Sequence, residues 1–322
     1  MAHTQRRKSA ALCARITFII GGNDMKNTLK KISFVTVLLI VVLTVQTASA
    51  ASIVVGGKGF TEQLLLAEIT GQYLTAHGYD VQLKTGMGTS LVRKALENKQ
   101  VDMYWEYTGT AFLNFQKNKF ANQPGEAIYE AVKTEDAKIG IVWLNASAAN
   151  NTYALAVRKA DAEAKGIKSL EDLAAKLNAG DKLTLGCNIE FYKRDDGLKP
   201  LQKAYGFEFP RSEIKRMETG LIYTALKDGD VDVGLVFATD GRIPAFNFSV
   251  LKDTKNYFPA YAITPTVRKE TLDANPELAE HLNKLSGLFD DATISALNAE
   301  VDVDKKSVTE VAQGFLKAQG LL

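Results

Sequence analysis

A repeat with a spacing of 130 residues constrains the fold of this chain more than any other feature of its sequence. Five pairs of identical amino acids carry the repeat: Leu91 and Leu221, Ala95 and Ala225, Leu96 and Leu226, Val101 and Val231, and Asp102 and Asp232. By the same spacing, Phe237 in the second copy corresponds to Tyr107 in the first. A helical pattern followed by a strand therefore occurs twice, which indicates two lobes of one design, each with an aromatic ring at the end of a strand.

Strand and helix patterns alternate within each copy, and this order predicts an α/β fold with parallel strands. Strands are predicted at 52–55, 79–83 and 101–105 in the first lobe and at 182–186 and 231–237 in the second. Helices are predicted at 61–77, 91–98, 124–135, 198–205 and 221–227. The segments 56–60 and 187–196 are predicted to be loops, and Thr89, Ser90 and Thr219 are candidate helix caps.

Two segments, 151–157 and 258–263, are predicted to cross between the lobes. They divide the chain into a first lobe of residues 51–152 and 257–322 and a second lobe of residues 153–256. Strand ends in an open α/β sheet border a crevice where ligands bind, so a cleft is expected between the lobes. The helical stretch 276–322 is expected to pack on the first lobe.

The N-terminal 50 residues have the pattern of a secretory signal peptide. A basic start at Met25–Lys31 precedes an apolar run at Ile32–Val45 and the small residues of Thr47–Ala50. A membrane anchor is the alternative, but the run is shorter than the ~20 residues of a spanning helix. No cysteine follows the expected cleavage site, which argues against a lipid anchor. We therefore expect export to the periplasm, with residues 1–24 a candidate upstream extension.

Removal of this leader changes the charge of the chain. It takes away seven of the 39 basic and one of the 37 acidic residues and leaves a net charge of −4. A basic patch of the kind that binds nucleic acid is then not expected. Cys187 is left as the single cysteine, so no internal disulfide is expected, and the residue is interpreted as a small buried hydrophobe.

Little in the sequence supports catalysis or metal binding. The mature chain has two histidines, His77 and His281, in patterns that favour surface positions, and no Cys/His spacing typical of a metal site occurs. The glycine-rich stretch Gly56–Thr61 lacks the spacing of a phosphate-binding loop. No enzyme activity, cofactor or metal is therefore expected.

Two cationic residues occupy corresponding loops in the two lobes. Lys58 precedes the first helix, and Arg194 lies within Phe191–Gly197. Helix N-termini attract anions, and arginine can bind a carboxylate through two parallel hydrogen bonds. Each residue alone is interpreted as an ordinary surface charge. Their matching positions leave open the alternative, in which they bind a carboxylate.

Four aromatic residues are expected to border the same cleft. Tyr107 and Phe237 end equivalent strands, and Tyr153 and Tyr261 lie on the two crossovers. The alternative is that these rings belong to the core. Because all four come from segments that point at the lobe boundary, we favour an aromatic box. Such a box binds quaternary ammonium ions through the negative faces of its rings.

At these motifs the chain resembles the substrate-binding proteins of osmoprotectant ABC transporters, the glycine betaine/carnitine/choline group. The shared motifs are Gly56–Gln63, Glu106–Thr110, Asn150–Val157, Arg194–Gly197, Thr239–Arg242, Phe258–Tyr261 and Val301–Val303. The resemblance covers residues 52–322. It implies the type II periplasmic-binding fold, two α/β lobes joined by two crossovers. It also implies delivery of a compatible solute to a membrane permease and an ATPase.

The resemblance also implies a role for individual residues. In that family an aromatic box holds the trimethylammonium group, and cationic side chains with a threonine hydroxyl hold the carboxylate. The box falls on Tyr107, Tyr153, Phe237 and Tyr261, and the carboxylate partners fall on Lys58, Thr110 and Arg194. Two departures are present: Phe237 stands where relatives typically have tyrosine, and Asn151 stands near the box where relatives can have an acidic residue.

The sequence thus predicts a monomeric, non-enzymatic binding protein that closes on a small quaternary amine by a hinge motion at its crossovers. Three alternatives stay open: a binder of another small polar solute such as an amino acid, a sensor subunit without transport, and an enzyme on a two-lobed fold of this type.

Overall fold

The computed structural model describes residues 52–322, and the predicted signal peptide lies outside this range. Its strands are β1 (Ser52–Lys58), β2 (Asp80–Met87), β3 (Met103–Tyr107), β4 (Ile141–Trp143), β5 (Tyr153–Arg158), β6 (Leu185–Cys187), β7 (Ile214–Arg216), β8 (Val233–Phe237), β9 (Phe248–Val250) and β10 (Ile263–Arg268). They form two five-stranded sheets, in the orders β2-β1-β3-β10-β4 and β7-β6-β8-β5-β9.

Both sheets are mixed, whereas the sequence predicted parallel strands alone. Three neighbouring strands run parallel in each sheet: β2, β1 and β3 in the first, and β7, β6 and β8 in the second. The strand that follows each crossing between the sheets is antiparallel to its neighbours. This strand is β5 in the second sheet and β10 in the first. Each crossing thus adds one reversed strand beside a parallel core.

The helices surround these sheets. They are α1 (Thr61–Ala76), α2 (Thr89–Glu97), α3 (Thr108–Thr110, continued as a π-helical turn over Ala111–Phe115), α4 (Gly125–Ala137), α5 (Lys159–Lys165), α6 (Leu170–Asn178), α7 (Ile189–Lys193), α8 (Leu198–Tyr205), α9 (Thr219–Asp228), α10 (Arg242–Ala245), α11 (Lys269–Ala274), α12 (Leu278–Ser286), α13 (Asp291–Asp302) and α14 (Val308–Ala318), with a 3-10 turn at Arg211–Glu213. Within residues 52–322 none of the helices combines the length and the apolar character needed to cross a membrane.

The C-terminal helices pack on the first lobe, as the sequence predicted. Helices α13 and α14 contact α1, and α12 contacts both α1 and β10. Their buried faces present Leu282, Ile294 and Phe315 to a core that also contains the buried ring of Phe289. Burial of this apolar surface, at about 25 cal/mol per Å², fixes the last 45 or so residues against the first sheet.

The 130-residue repeat appears in the structure as one hydrogen bond made twice. The backbone N–H of Val54 donates to Asp102 Oδ2 over 2.7 Å, and the backbone N–H of Thr184 donates to Asp232 Oδ2 over 2.9 Å. Each aspartate precedes the central parallel strand of its sheet, β3 or β8. Each strand ends on an aromatic residue five positions after its aspartate, Tyr107 in β3 and Phe237 in β8. The two rings therefore face the boundary between the sheets.

Some local predictions were wrong. Strand β1 extends through Gly56 and Gly57 to Lys58, so the expected loop begins only at Gly59. The reason is packing, because a Cβ at Gly56 would lie 3.1–3.3 Å from Val92 and Val101. Small residues there let β1 lie against α2, and the glycines therefore continue the strand.

The predicted helix caps were also wrong at two positions. Helices α2 and α9 begin at Thr89 and Thr219, after the extended residues Gly88 and Glu218, and neither start has a side-chain cap. The predicted loop 187–196 contains the short helix α7, whose cap is Asn188. The Asn188 Oδ1 accepts a hydrogen bond from the backbone N–H of Phe191 over 2.8 Å.

Candidate functional site

A cavity of about 410 Å³ opens between the two sheets, where β1, β3 and β8 end. Its size falls within the range of small-molecule sites. The structure brings all of the sequence-predicted site residues to its wall: Lys58, Tyr107, Thr110, Asn151, Tyr153, Arg194, Phe237 and Tyr261. They come from both lobes and both crossings, so anything held here contacts both halves of the molecule.

The four predicted rings form a connected group with a fifth ring, Phe60. Tyr153 is the centre, 5.1 Å from Phe237 and 5.5 Å from Tyr261 between ring centroids. Phe60 lies 5.7 Å from Phe237 and 6.3 Å from Tyr107, nearly parallel to both. Phe60 was not predicted to be a site residue, although it stands in the motif Gly56–Gln63. When a single aromatic residue precedes a helix, the sequence does not show whether its ring lines a cavity or lies in the core.

The backbone explains how these rings meet. Tyr153 and Phe237 are paired directly across β5 and β8, so their side chains stand on the same face of the second sheet. Gly109 allows Tyr261 to approach β3, because a Cβ at Gly109 would lie 2.8 Å from Ala260 O and from two ring carbons of Tyr261. A larger residue at this position would displace the ring.

Lys58 does not present a free charge to the cavity. Its Nζ lies 2.6 Å from Glu106 Oε1 and 4.5 Å from the centroid of the Tyr107 ring. Burial lowers the pKa of Lys58, and the carboxylate of Glu106 opposes that shift. The pair leaves further donor capacity on the ammonium group, which has three N–H bonds.

Arg194 is also paired. Its guanidinium binds Asp196 through Nε and Nη2, over 2.7 and 2.6 Å, and Nη2 lies 3.3 Å from Thr110 Oγ1 in the first lobe. The hydroxyl of Tyr261 donates to Asp196 Oδ2 over 2.5 Å. Burial alone would raise the pKa of Asp196, but the charge of Arg194 and the hydrogen bonds from Arg194, Tyr261 and Asn114 together outweigh burial and hold this pKa below its usual value.

Asn151 contacts a residue that sequence reasoning missed. Its Nδ2 donates to Glu62 Oε1 over 2.7 Å, and Glu62 is 3% exposed. The Tyr107 hydroxyl also donates to Glu62 Oε1, over 2.6 Å. An acidic residue in the first turn of a helix is ordinarily explained by the helix dipole, so no sequence signal placed Glu62 at a site.

Several contacts join the lobes around the cavity. The backbone N–H of Thr89 donates to Glu190 Oε1 over 2.9 Å, and Thr239 Oγ1 donates to Glu62 Oε2 over 2.5 Å. Asn114 Nδ2 donates to Asp196 Oδ1 over 3.1 Å. Each bond has one partner in each lobe, and together they hold the lobes close around the cavity.

The site combines two chemically different kinds of group. Ring faces line the cavity, and Lys58, Arg194 and Thr110 supply donors beside them, with Lys58 Nζ 4.5 Å from the Tyr107 centroid and Arg194 Cζ 5.2 Å from the Tyr153 centroid. Among residues 52–322 no cluster of three or more His, Cys, Asp or Glu side chains is suited to a metal ion. The arrangement fits a small molecule with a diffuse positive charge at one end and an anionic or polar group at the other.

Comparisons with known proteins agree with this chemistry. A family model described as the substrate binding domain of the ABC-type glycine betaine transport system matches residues 51–318. The glycine-betaine-binding protein of Pseudomonas aeruginosa is 43% identical over 281 residues, which cover 85% of this chain and 90% of that protein. The ergothioneine transport permease/ergothioneine binding protein EgtU of Helicobacter pylori is 34% identical over 272 residues, covering 84% of this chain and 48% of that protein.

A solved structure described as a glycine betaine/carnitine/choline ABC transporter gives the same result at the level of the fold. It is 28% identical, has a TM-score of 0.68, and matches over 85% of this chain and 99% of that chain. The similarity confirms the predicted type II periplasmic-binding fold.

Proposed function

Because this chain belongs to the family of substrate-binding domains of ABC-type glycine betaine transport systems, we propose that it captures a quaternary ammonium compatible solute in the cavity between its lobes. Glycine betaine, choline and their relatives are the ligand class. The protein then delivers the solute to the permease and ATPase subunits of an ABC importer.

The group of five rings is the observation that carries this proposal. A quaternary ammonium ion has no N–H to donate, so it is bound best by the electron-rich faces of aromatic rings. The hydroxyls of Tyr107 and Tyr261 are both engaged, by Glu62 and Asp196, in hydrogen bonds. These bonds fix the orientation of the two rings.

The carboxylate of a betaine fits the donor groups beside the rings. Arg194 uses Nε and Nη2 for Asp196, which leaves Nη1 as a donor in the guanidinium plane. Lys58 and the hydroxyl of Thr110 supply further donors from the first lobe. A carboxylate that bridges Arg194 and Lys58 would draw the lobes together.

Ligand binding and closure are then one event. The chain crosses between the sheets in the two short segments after β4 and after β9, and these are the hinge. A ligand that contacts both walls stabilises the closed arrangement by its differential affinity for it. We assign residues 51–152 and 257–322 to one lobe and residues 153–256 to the other.

The remaining parts of the proposal follow from this role. The protein acts as a monomer without enzyme activity, cofactor or metal. It is exported to the periplasm after cleavage near Ala51, and the ligand-binding residues are Lys58, Tyr107, Thr110, Asn151, Tyr153, Arg194, Phe237 and Tyr261.

A thermal-shift panel tests the ligand class. Glycine betaine, choline, carnitine and proline betaine are compared with glycine and proline, which carry N–H groups. A ligand that binds only the folded state raises the melting temperature. Stabilisation by the quaternary amines and none by the amino acids is the expected result. The reverse pattern would identify a binder of another small polar solute.

A further inference from the structure

We propose that Glu62 is a specificity-determining residue that supplies the negative charge for the ligand's cation. The inference rests on the proposed function and names a residue outside the set that sequence reasoning assigned to the site. The carboxylate stands behind the aromatic wall and is joined to that wall by a direct hydrogen bond from the Tyr107 hydroxyl.

The contacts of Glu62 are all with neutral donors. Oε1 accepts from the Tyr107 hydroxyl over 2.6 Å and from Asn151 Nδ2 over 2.7 Å, and Oε2 accepts from Thr239 Oγ1 over 2.5 Å. Three hydrogen bonds satisfy the oxygen atoms but do not neutralise the charge. A buried carboxylate without a cationic partner is costly, so such a group is expected to have a role.

No ion pair of Glu62 with a lysine, arginine or histidine occurs within the described residues 52–322. The titratable and charged side chains around it are Tyr107 of β3 with Lys58 and Glu106 beside that ring, Glu218 before α9, Asp240 and Arg242 at the start of α10, and Asp302 of α13. Each nearby cation already has a carboxylate partner. Lys58 pairs with Glu106, and Arg242 pairs with Asp240 and Asp302.

The ligand's cation is therefore the charge that this site lacks. Both residues that donate to Glu62 Oε1, Tyr107 and Asn151, line the main cavity. A phenol that donates to a carboxylate gains electron density in its ring, and this strengthens the attraction of the ring face for a cation. Glu62 thus acts on the ligand directly by charge and indirectly through Tyr107.

This assignment also accounts for Asn151. The amide of Asn151 carries no charge. Asn151 instead holds the carboxylate of Glu62 with its Nδ2, while its buried Oδ1 has no donor within residues 52–322. Glu62 thus places a negative charge one hydrogen bond away from residue 151.

Glu62→Gln isolates the charge. A glutamine can still accept from Tyr107 and Asn151 through Oε1 and can donate to the Thr239 hydroxyl through Nε2. Glu68→Gln is the matched control, since Glu68 lies on the same helix and contacts Gln72 away from the cavity. Circular dichroism at each pH verifies that the variants are folded.

The test is the affinity for choline as a function of pH, by calorimetry. Choline is a permanent cation, so any pH dependence comes from the protein. Burial raises the pKa of Glu62 and outweighs the three hydrogen bonds, which lower it. The charged form binds choline, so wild-type affinity should be full above this raised pKa and should fall as the pH drops through it.

We expect Glu62→Gln to weaken choline binding about tenfold to a hundredfold at neutral pH and to lack this acid-induced fall. The two curves should meet at low pH, where protonated Glu62 is as neutral as glutamine. Glu68→Gln should follow the wild type. Parallel curves for Glu62→Gln and wild type, or an unchanged affinity at neutral pH, would overturn the inference.

The binding measurements distinguish a wrong role for Glu62 from a wrong proposed function. If the wild type binds choline and glycine betaine and Glu62→Gln binds them equally well, the function stands and the role of Glu62 is wrong. If the wild type binds neither quaternary amine, the proposed function fails and this inference fails with it.

Discussion

The guanidinium of Arg194 is held by Asp196, two residues later in the chain, through hydrogen bonds of 2.7 and 2.6 Å. Asp196 in turn accepts from the hydroxyl of Tyr261, which lies on the return crossing between the lobes. The guanidinium of Arg194 is therefore tied to one ring of the aromatic group. Both side chains are pre-organised by the same carboxylate, which reduces the ordering that a ligand must cause.

Arg194→Ala should separate ligands by their carboxylate. A charge-assisted hydrogen bond contributes about 1.5–3 kcal/mol, so glycine betaine should bind roughly tenfold to a hundredfold more weakly. Choline has no carboxylate and should keep its affinity or gain some. Calorimetry with both ligands measures this, and the exposed neighbour Lys193→Ala is the control. Equal losses for the two ligands would mean that Arg194 supports closure rather than the carboxylate.

Phe60→Leu should weaken the binding of glycine betaine and the binding of choline to a similar extent. The substitution removes the ring that lies between Tyr107 and Phe237 but keeps an apolar side chain. A cation–π contact contributes about 0.5–2 kcal/mol, so a loss of a few-fold to about thirtyfold is expected. Phe120→Leu, a half-buried ring outside the cavity, is the control. Unchanged affinity in Phe60→Leu would mean that Phe60 packs in the core and does not contribute to ligand binding.

Phe237→Tyr should strengthen binding of a quaternary amine several-fold. The added hydroxyl makes the ring more electron-rich, and the family resemblance implies a tyrosine at this position. Phe237 is half-buried at the end of β8, beside Tyr153. Competition calorimetry against the wild type measures the change. Weaker binding would show that the wall has no room for the hydroxyl.

Cys187 should resist alkylation in the folded protein. Its side chain is fully buried in the core of the second lobe, and burial raises the pKa of the thiol to about 11. The thiolate is the reactive form, so almost none is present at pH 8. Mass spectrometry after iodoacetamide treatment should find Cys187 unmodified in buffer and fully modified in guanidinium chloride. Rapid labelling in buffer would contradict the structure.

The sequence predicted the two-lobed fold because the sequence repeat corresponds to a structural feature that occurs in both sheets. Asp102 and Asp232 make the same backbone hydrogen bond in the two sheets. The alternation of strands and helices then set the position of Tyr107 and Phe237 at the strand ends. The reversed strands β5 and β10 were not predicted, because strand direction depends on how the chain crosses between sheets rather than on local periodicity.

The candidate site was predicted in part, and the missing residues share one cause. Asp196, Glu106 and Glu62 are carboxylates that contact cationic or aromatic residues of the site. These partners are distant in the sequence: Lys58 for Glu106, Tyr107 for Glu62 and Tyr261 for Asp196. Sequence patterns show which residues face a core, but they do not show which acid pairs with which base. Each of these acids reads as an ordinary surface charge until the fold brings its partner beside it.

The most direct test of the central claim compares glycine betaine with 3,3-dimethylbutanoate in calorimetric titrations of the wild-type protein. The two molecules have the same shape and the same carboxylate, but a carbon atom replaces the charged nitrogen. If the rings recognise a cation, glycine betaine should bind with a one-to-one stoichiometry and at least about tenfold more tightly. Equal affinity for both molecules, or no binding of glycine betaine, would contradict the account.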